Sequence, residues 1–580
     1  MTTAALEQFT QRVRNIYGEA QDCEAIAKEI LTQCQCFADK RQSAVSEQAA
    51  SPELPRWSEE DVILITYGNS VQTSDEMPLK TLGNFLHERL ADVINAVHIL
   101  PFFPYSSDDG FSVIDYRQVN PDWGSWEDVA DIASQFDLMV DLVINHCSRE
   151  NLWFIDYISN REPFTDYFIE VDPSTDVSQV TRPRNTPLLA PVHTHRGRRH
   201  VWATFSEDQI DLNFANPQVL LEFIQIYLMY IEQGARFIRL DAVAFLWKQL
   251  GTNCLHLPQT HEAVKLLRDV VNFAAPEVVV ITETNVPVKE NLSYFGQSDE
   301  AHMVYQFGLP PLVLHALNRG NAAFLSDWAD AIPPLPTGCS YLNFTASHDG
   351  IGVRPVEGLL PEREVQDLID SMHRFGGFVS MKANSDGTES PYEINITLFD
   401  ACMGTRRGVD HYQVPRFLCS QAIMLAMQGI PAVYLHSLTA SPNDLDHVEQ
   451  TGRTRSINRR IWDKHELECL LANPVTHQAE VFQALTRMIR LRRQQPAFHP
   501  DARQDVIKIN TDLFILKRTS VDGEQKIFAV SNVTERILKL PLATLGFLES
   551  GLMDLLAENP QPIEQDLMLS PYQTVWLTSL

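Results

Sequence analysis

Three things are scarce in this chain of 580 residues. Basic charge is the first: 46 Lys and Arg stand against 75 Asp and Glu, a formal charge of −29, and the sequence pI is near 5.0. Phosphate backbones and anionic bilayers need a basic face, so neither nucleic acid nor membrane is expected as a partner. Long apolar runs are the second. No stretch of about 18 apolar residues occurs, and the best candidate, 219–231, contains Glu222 and Gln225 and is expected to be a packed helix. The opening MTTAALEQFTQRVRNIYG carries Glu7 and no apolar core, unlike a secretory signal. Organised cysteine is the third. Nine Cys are scattered without framework spacing, and Cys34-x-Cys36 has no His or second Cys pair nearby. Free thiols in a reducing, cytoplasmic setting are expected, with no metal site.

What is present begins with length, which exceeds one compact core and implies a large domain with satellites. Residues 1–40 look helical, and RQSAVSEQAASPELP (41–55) has the composition of a linker. Apolar strands are then expected at 61–67, 95–102, 138–145, 236–243, 277–284, 303–307, 340–347 and 430–436. Amphipathic helices precede several of them, such as 217–233, which Gly234 stops. Eight strands with intervening helices predict an α/β fold, a (β/α)8 TIM barrel. Two gaps are too long for simple connections, so subdomains are expected after strand 3 (about 147–216) and strand 7 (about 350–415). From about residue 501 the pattern alternates as in an antiparallel β domain. The expected organisation is a 1–55 extension and linker, a 56–500 barrel and a 501–580 β domain.

The run FIRLDAVAF (237–245) places Arg239 and Asp241 inside an apolar strand, on the same side of it. Buried charges are paired or belong to a site. Other polar groups fall at strand ends, where such barrels carry their chemistry: Asp108-Asp109, Asn145-His146, Glu283 and His348-Asp349. Five clusters converging on one face favour a site. Arg239 should keep Asp241 ionised, as a nucleophile requires. The apolar run before Glu283 should raise its pKa towards that of a proton donor. Asp349 would hold sugar hydroxyls or oppose developing positive charge. Paired carboxylates of this kind suit glycoside chemistry.

The motifs DLVINH (141–146), FIRLDAVAF (237–245), ITETNV (281–286) and FTASHD (344–349) resemble, in order, those of the α-amylase superfamily, glycoside hydrolase family 13. ILPFFPYSSDDGFSVIDY (99–116), TRPR (181–184), VWATFSEDQIDLN (201–213), LPPLVLHAL (309–317), SHDGIGV (347–353), SPYEIN (390–395) and SINR (456–459) are similar to its sucrose phosphorylase subgroup. The resemblance covers about 60–580. It implies a retaining α-glucoside phosphorylase with Asp241 as nucleophile, Glu283 as general acid/base and Asp349 as transition-state stabiliser. Asp108, His146, Arg239, His348 and Arg459 would hold glucose, with Phe111 as its apolar face. Arg184, Phe205 and Gln209 would wall the acceptor side together with Tyr392 and Glu393. No cofactor is implied; inorganic phosphate is a substrate, met by Arg184 and the Tyr392 loop. The catalytic carboxyls should lie about 5–5.5 Å apart. A monomer or homodimer handling only small molecules is expected.

The acceptor is read from less. Sucrose phosphorylases tend to carry Tyr-Gln where this chain has Tyr392-Glu393. The loop DGTESPYEIN (386–395) sets Asp386, Glu389 and Glu393 against one cation, Lys382. With Arg184 reserved for phosphate, that balance favours a neutral polyol, glycerol, making glucosylglycerol the donor. Glucosylglycerate is second, then sucrose or sucrose 6-phosphate. A hydrolase or transglucosidase on the same carboxylates is the rival chemistry, and a barrel kept only for binding the rival class. The basic HTHRGRRH (193–200) is expected to be a solvated tip.

Overall fold

The computed structural model describes residues 2–44, 56–383, 388–545, 551–563 and 565–579. Eight parallel strands close a barrel in sequence order: β1 (Ile63–Thr66), β2 (Ala96–Ile99), β3 (Asp137–Val143), β4 (Ala235–Asp241), β5 (Val279–Thr282), β6 (Met303–Tyr305), β7 (Ser340–Asn343) and β8 (Ile430–Tyr434). Helices cover the outside, so the strands are buried on both faces and carry continuous apolar runs. Arg239 and Asp241 on β4, with Asp141 on β3 and His98 on β2, are buried exceptions that belong to one charge network.

Both expected insertions are present. The first leaves β3, forms a hairpin (Leu189–Thr194 with Gly197–Trp202), and returns through Gln209–Asp211, which pairs antiparallel with His146–Ser148. Arg196 and Arg199 of the basic tip pair with Glu170. The second insertion is a three-stranded sheet of Ile351–Gly352, Glu389–Asn395 and Phe378–Ala383 with the helix Glu362–Arg374. Asn185 of the first donates to Glu389 of the second at 2.6 Å. Of the acceptor loop, Asp386 lies outside the described residues, as do 45–55 of the expected linker.

The N-terminal segment is two helices, α1 (Thr2–Tyr17) and α2 (Cys23–Ala44), and it is not a detached extension. Phe9, Val13, Ile30 and Cys34 are buried in the same core as the barrel strands. Arg12 of α1 reaches Asp269 at 2.8 Å and Asp299 at 3.2 Å. The C-terminal sheet has five antiparallel strands, among them Leu513–Thr519, Lys526–Asn532 and Thr574–Ser579. Phe514, Leu516 and Trp576 join the barrel core, whereas Leu513, Ile515 and Val575 face a small core of their own. That double burial explains why LFIL is apolar at every position.

Candidate active site

The loops after the strands surround an open cavity at the C-terminal mouth of the barrel, about 760 Å³ with its solvent-open part included. Its lining includes Asp108, Phe111, His146, Arg184, Phe205, Gln209, Arg239, Asp241, Glu283, His348, Asp349 and Tyr392. These residues come from five strand ends and both insertions, as the motif spacing requires.

Its floor is one charge network. Arg239 is 2% exposed. It pairs with Asp141 and donates to Asp241 Oδ1 at 2.8 Å, while its other terminal nitrogen lies 3.9 Å from Glu283 Oε2. His98 supports Asp141 from below, Nε2 to Oδ2 at 2.6 Å. Burial opposes the charge on Asp141, but Arg239 and His98 outweigh it and bring its pKa down to about 2. For Asp241 the pull of Arg239 does not outweigh burial. Burial raises its pKa against the pull of Arg239, and Glu283, Asp141 and Asp349 add to the rise. Burial raises Glu283 as well, with Asp349 adding to it, although Ala242 N–H donates to Oε2 at 3.2 Å. Both directions favour a shared proton on the pair. Arg239 bonds Asp241 and only approaches Glu283, so of the two it favours the charge on Asp241.

Asp349 is the third carboxylate. Burial again opposes its charge, but Arg455, His348, Arg459 and Arg239 hold its pKa below the ordinary range. Arg455 Nη1 lies 2.6 Å from Asp349 Oδ1. Its Nε and Nη2 both donate to Glu393 at 2.8 Å. This corrects the reading of Glu393 as an acceptor contact. Glu393 is 1% exposed and absent from the cavity lining, because strand 389–395 turns it inward beneath Arg455. The space for it comes from Gly350, where a Cβ would sit 2.4 Å from Glu393 Cγ. Arg459 also lies one layer below the lining: it holds Asp109 Oδ2 at 2.5 Å and the His348 carbonyl at 2.9 Å.

The turn carrying Asp108 is strained to present it. Asp108 and Asp109 have φ of 51° and 49°, in the left-handed region that side chains disfavour. Gly110 follows at φ 110°, and a Cβ there would meet the Pro101 carbonyl at 2.5 Å. Arg459 on Asp109 clamps one side of the turn. On the other, Asp208 accepts from Ser106 and Ser112 at 2.6 and 2.9 Å. Phe111 beyond it stacks on His348 with ring centres 4.9 Å apart. Burial, Arg459 and Arg239 lower the His348 pKa to about 3 against the pull of Asp349.

Two lining cations escaped the sequence reading, Arg354 and Arg455. Each adjoins a quoted motif: Arg455 directly precedes SINR and Arg354 directly follows SHDGIGV. That adjacency was the available signal. Arg455 is committed to two carboxylates. Among the described residues, Arg354 and Arg184 make no ion pair. Lys382, the cation expected in the acceptor loop, is instead paired with Glu357 at 3.0 Å. Among the described residues, no group of three His, Cys, Asp or Glu is arranged to hold a metal, and no helix is long and apolar enough to cross a membrane.

Residues 91–349 match the family model for the α-amylase catalytic domain. The chain is 43% identical to the glucosylglycerate phosphorylase of Escherichia coli K12 over 90% of its own length and 92% of that protein. It belongs to the α-amylase superfamily, glycoside hydrolase family 13. Its relatives make it an enzyme that transfers glucosyl groups, of the α-glucoside phosphorylase kind. The glucosylglycerol phosphorylase of Marinobacter adhaerens is 30% identical over 72% of this chain and 85% of that one. Among solved structures, the sucrose 6F-phosphate phosphorylase of Thermoanaerobacter thermosaccharolyticum superposes with a TM-score of 0.72 at 24% identity, covering 88% of this chain and 98% of that one. That likeness concerns the fold.

Proposed function

We propose that the protein is a glucosylglycerate phosphorylase, which interconverts glucosylglycerate plus inorganic phosphate with α-glucose 1-phosphate plus glycerate. The observation that carries this is the pair of guanidiniums, Arg184 and Arg354, that line the cavity from the two insertions and make no ion pair among the described residues. A carboxylate in a partly desolvated pocket must be met by a cation, and planar guanidinium suits it bidentately. The argument for glycerol assumed only Arg184 and an acidic loop. Arg354 adds a second cation, and Glu393 is neutralised beneath Arg455. The greater identity to a glucosylglycerate phosphorylase than to a glucosylglycerol phosphorylase supports the same revision.

In this reading Glu283 gives its proton to the glycosidic oxygen as Asp241 Oδ attacks the anomeric carbon. Glycerate leaves with that proton, and a β-glucosyl ester remains on Asp241. A phosphate oxygen then attacks the same carbon, Glu283 takes its proton, and the ester bond breaks to restore the Asp241 carboxylate. Two inversions give net retention. Asp349, held charged by Arg455, opposes the positive charge that develops on the ring. Arg184 and Arg354 receive phosphate where glycerate stood. We place the reaction in the cytoplasm, which the nine free thiols, seven of them buried, support.

The test is synthesis from α-glucose 1-phosphate with glycerate, glycerol, fructose and fructose 6-phosphate, each against a water-only control. Glycerate should react fastest, and hydrolysis should be minor. Equal or faster turnover of glycerol or fructose would overturn the acceptor assignment; equal consumption without acceptor would overturn the phosphorylase.

A further inference from the structure

Lys248 is a buried ammonium that the scheme above does not use. It follows β4 and its side chain is 3% exposed. Its Nζ lies 2.8 Å from Asp211 Oδ2 and 2.7 Å from Asn145 Oδ1. Asp211 belongs to the strand by which the first insertion returns to the barrel, and Asn145 follows β3 beside His146. Three segments of the chain therefore meet at one nitrogen.

The hydrogen bonds leaving this point have a direction. Lys248 can only donate, so the Asn145 oxygen must face it and the Asn145 amide nitrogen must face away. That nitrogen lies 3.1 Å from Asp211 Oδ2 and 3.2 Å from His146 Nδ1, one hydrogen for each. At the far side of the ring, His146 Nε2 lies 2.8 Å from the Phe111 carbonyl, which can only accept. Nε2 therefore carries the proton and Nδ1 is the bare acceptor. Asp211 is otherwise saturated by the Thr204 N–H at 2.7 Å and hydroxyl at 2.6 Å. Gln209 Nε2 also lies 3.2 Å from His146 Nε2, and its hydrogens have other acceptors in the Phe111 carbonyl at 3.1 Å and Asp108 at 3.4 Å.

We propose that Lys248 is a positioning residue for the sugar end of the cavity: through Asn145 it fixes the tautomer and ring orientation of His146. This rests on the reading that His146 touches the glucosyl unit. Two further observations agree. His146 is 2% exposed and so cannot draw orientation from water. Its pKa is lowered by burial, with Lys248 adding to the fall and Asp211, the Phe111 carbonyl and Asp108 opposing it. Without the ammonium, Asn145 is free to flip its amide, present oxygen to Nδ1 and draw the proton there.

The experiment compares four variants of the full chain for the KM of α-glucose 1-phosphate, the KM of the acceptor, the pH profile and the unfolding temperature. Lys248→Met removes the ammonium and strands Asp211. Lys248→Met with Asp211→Asn removes both charges and tests whether Lys248 is only a counter-ion. Asn145→Asp keeps the Lys248 partner but cannot donate to Nδ1, so it remains informative if the others fold poorly. His146→Ala is the control. The proposal expects the double variant to recover thermal stability. It should still show about a tenfold or greater rise in the KM for α-glucose 1-phosphate, as loss of a support behind a ligand-binding histidine gives. Its acceptor KM should change little, and in Lys248→Met alone the acid limb should move to higher pH, because the ammonium that opposes His146 protonation is gone while Asp211 remains. Asn145→Asp should share the KM and pH changes. Recovery of the wild-type KM by the double variant would overturn the proposal and leave an ordinary ion pair. If His146→Ala itself leaves the KM for α-glucose 1-phosphate unchanged, the reading of the sugar pocket fails instead.

Discussion

On the floor of the cavity the arginines are committed, whereas on its acceptor side two are not. Arg239 is bound by Asp141 and Asp241, Arg455 by Asp349 and Glu393, and Arg459 by Asp109 and the His348 carbonyl. Arg184 and Arg354, carried by the insertions, have no ion pair among the described residues. The difference separates two jobs. A floor that handles a neutral sugar ring must hold carboxylates in fixed charge states, so its cations are spent on protein groups. A wall that receives phosphate and then a carboxylate must keep cations for ligands. The proposed mechanism thus divides the cavity into a part that performs the chemistry and a part that chooses the partner.

The largest expected effect lies on the floor. Asp241→Asn should reduce turnover by at least about 10⁴-fold with every acceptor, because an amide cannot form the ester. A loss confined to one acceptor would break the division. Glu393 sharpens the boundary, since the sequence alone assigned it to the wall. Glu393→Gln leaves Arg455 with one full partner and should lower kcat about tenfold or more by loosening its hold on Asp349. The KM for the acceptor should barely move. A changed acceptor KM with kcat intact would return Glu393 to the wall. The smallest effect is on the pH profile. Glu283 acts protonated on the glycosidic oxygen and its pKa is raised. In phosphorolysis kcat/KM should therefore fall as pH rises through that pKa, above the ordinary glutamate value of about 4.3. The limb should lie at the same pH for every glucoside tested and be absent in Glu283→Gln. A limb that moves with the acceptor would place the titrating group on the wall.

The same division explains what could be read from sequence. β1 to β8 are short apolar strands at strand spacing, and the polar groups at their ends stand out because nothing local needs them. Strain at Asp108, the clamp on Asp109 and the support from His98 and Lys248 were invisible, since they depend on residues that meet only in the folded chain. The insertions carry their function in side-chain direction. Tyr392 and Glu393 are adjacent on one strand, one lining the cavity and the other turned beneath it, and alternation alone does not say which. Counting charges along 386–395 makes the loop acidic, although Glu393 is neutralised by an arginine 62 residues away and Arg354, without an ion pair among the described residues, lies outside that window. The N-terminal helices were read as an extension because their packing partners, such as Asp269, lie more than 200 positions on.

The division is tested most directly by the acceptor selectivity of Arg354→Gln. The measurement is the ratio of kcat/KM for glycerate to that for glycerol, beside the KM for α-glucose 1-phosphate. Losing a charge-assisted contact to a carboxylate should lower that ratio by about 10- to 100-fold, a discrimination of roughly 1.5–3 kcal/mol. The KM for α-glucose 1-phosphate should rise as well, since Arg354 also meets its phosphate, but the glycerol reaction shares that rise and the ratio isolates the carboxylate contact. An unchanged ratio, or a loss shared equally by glycerate and glycerol, would contradict the account.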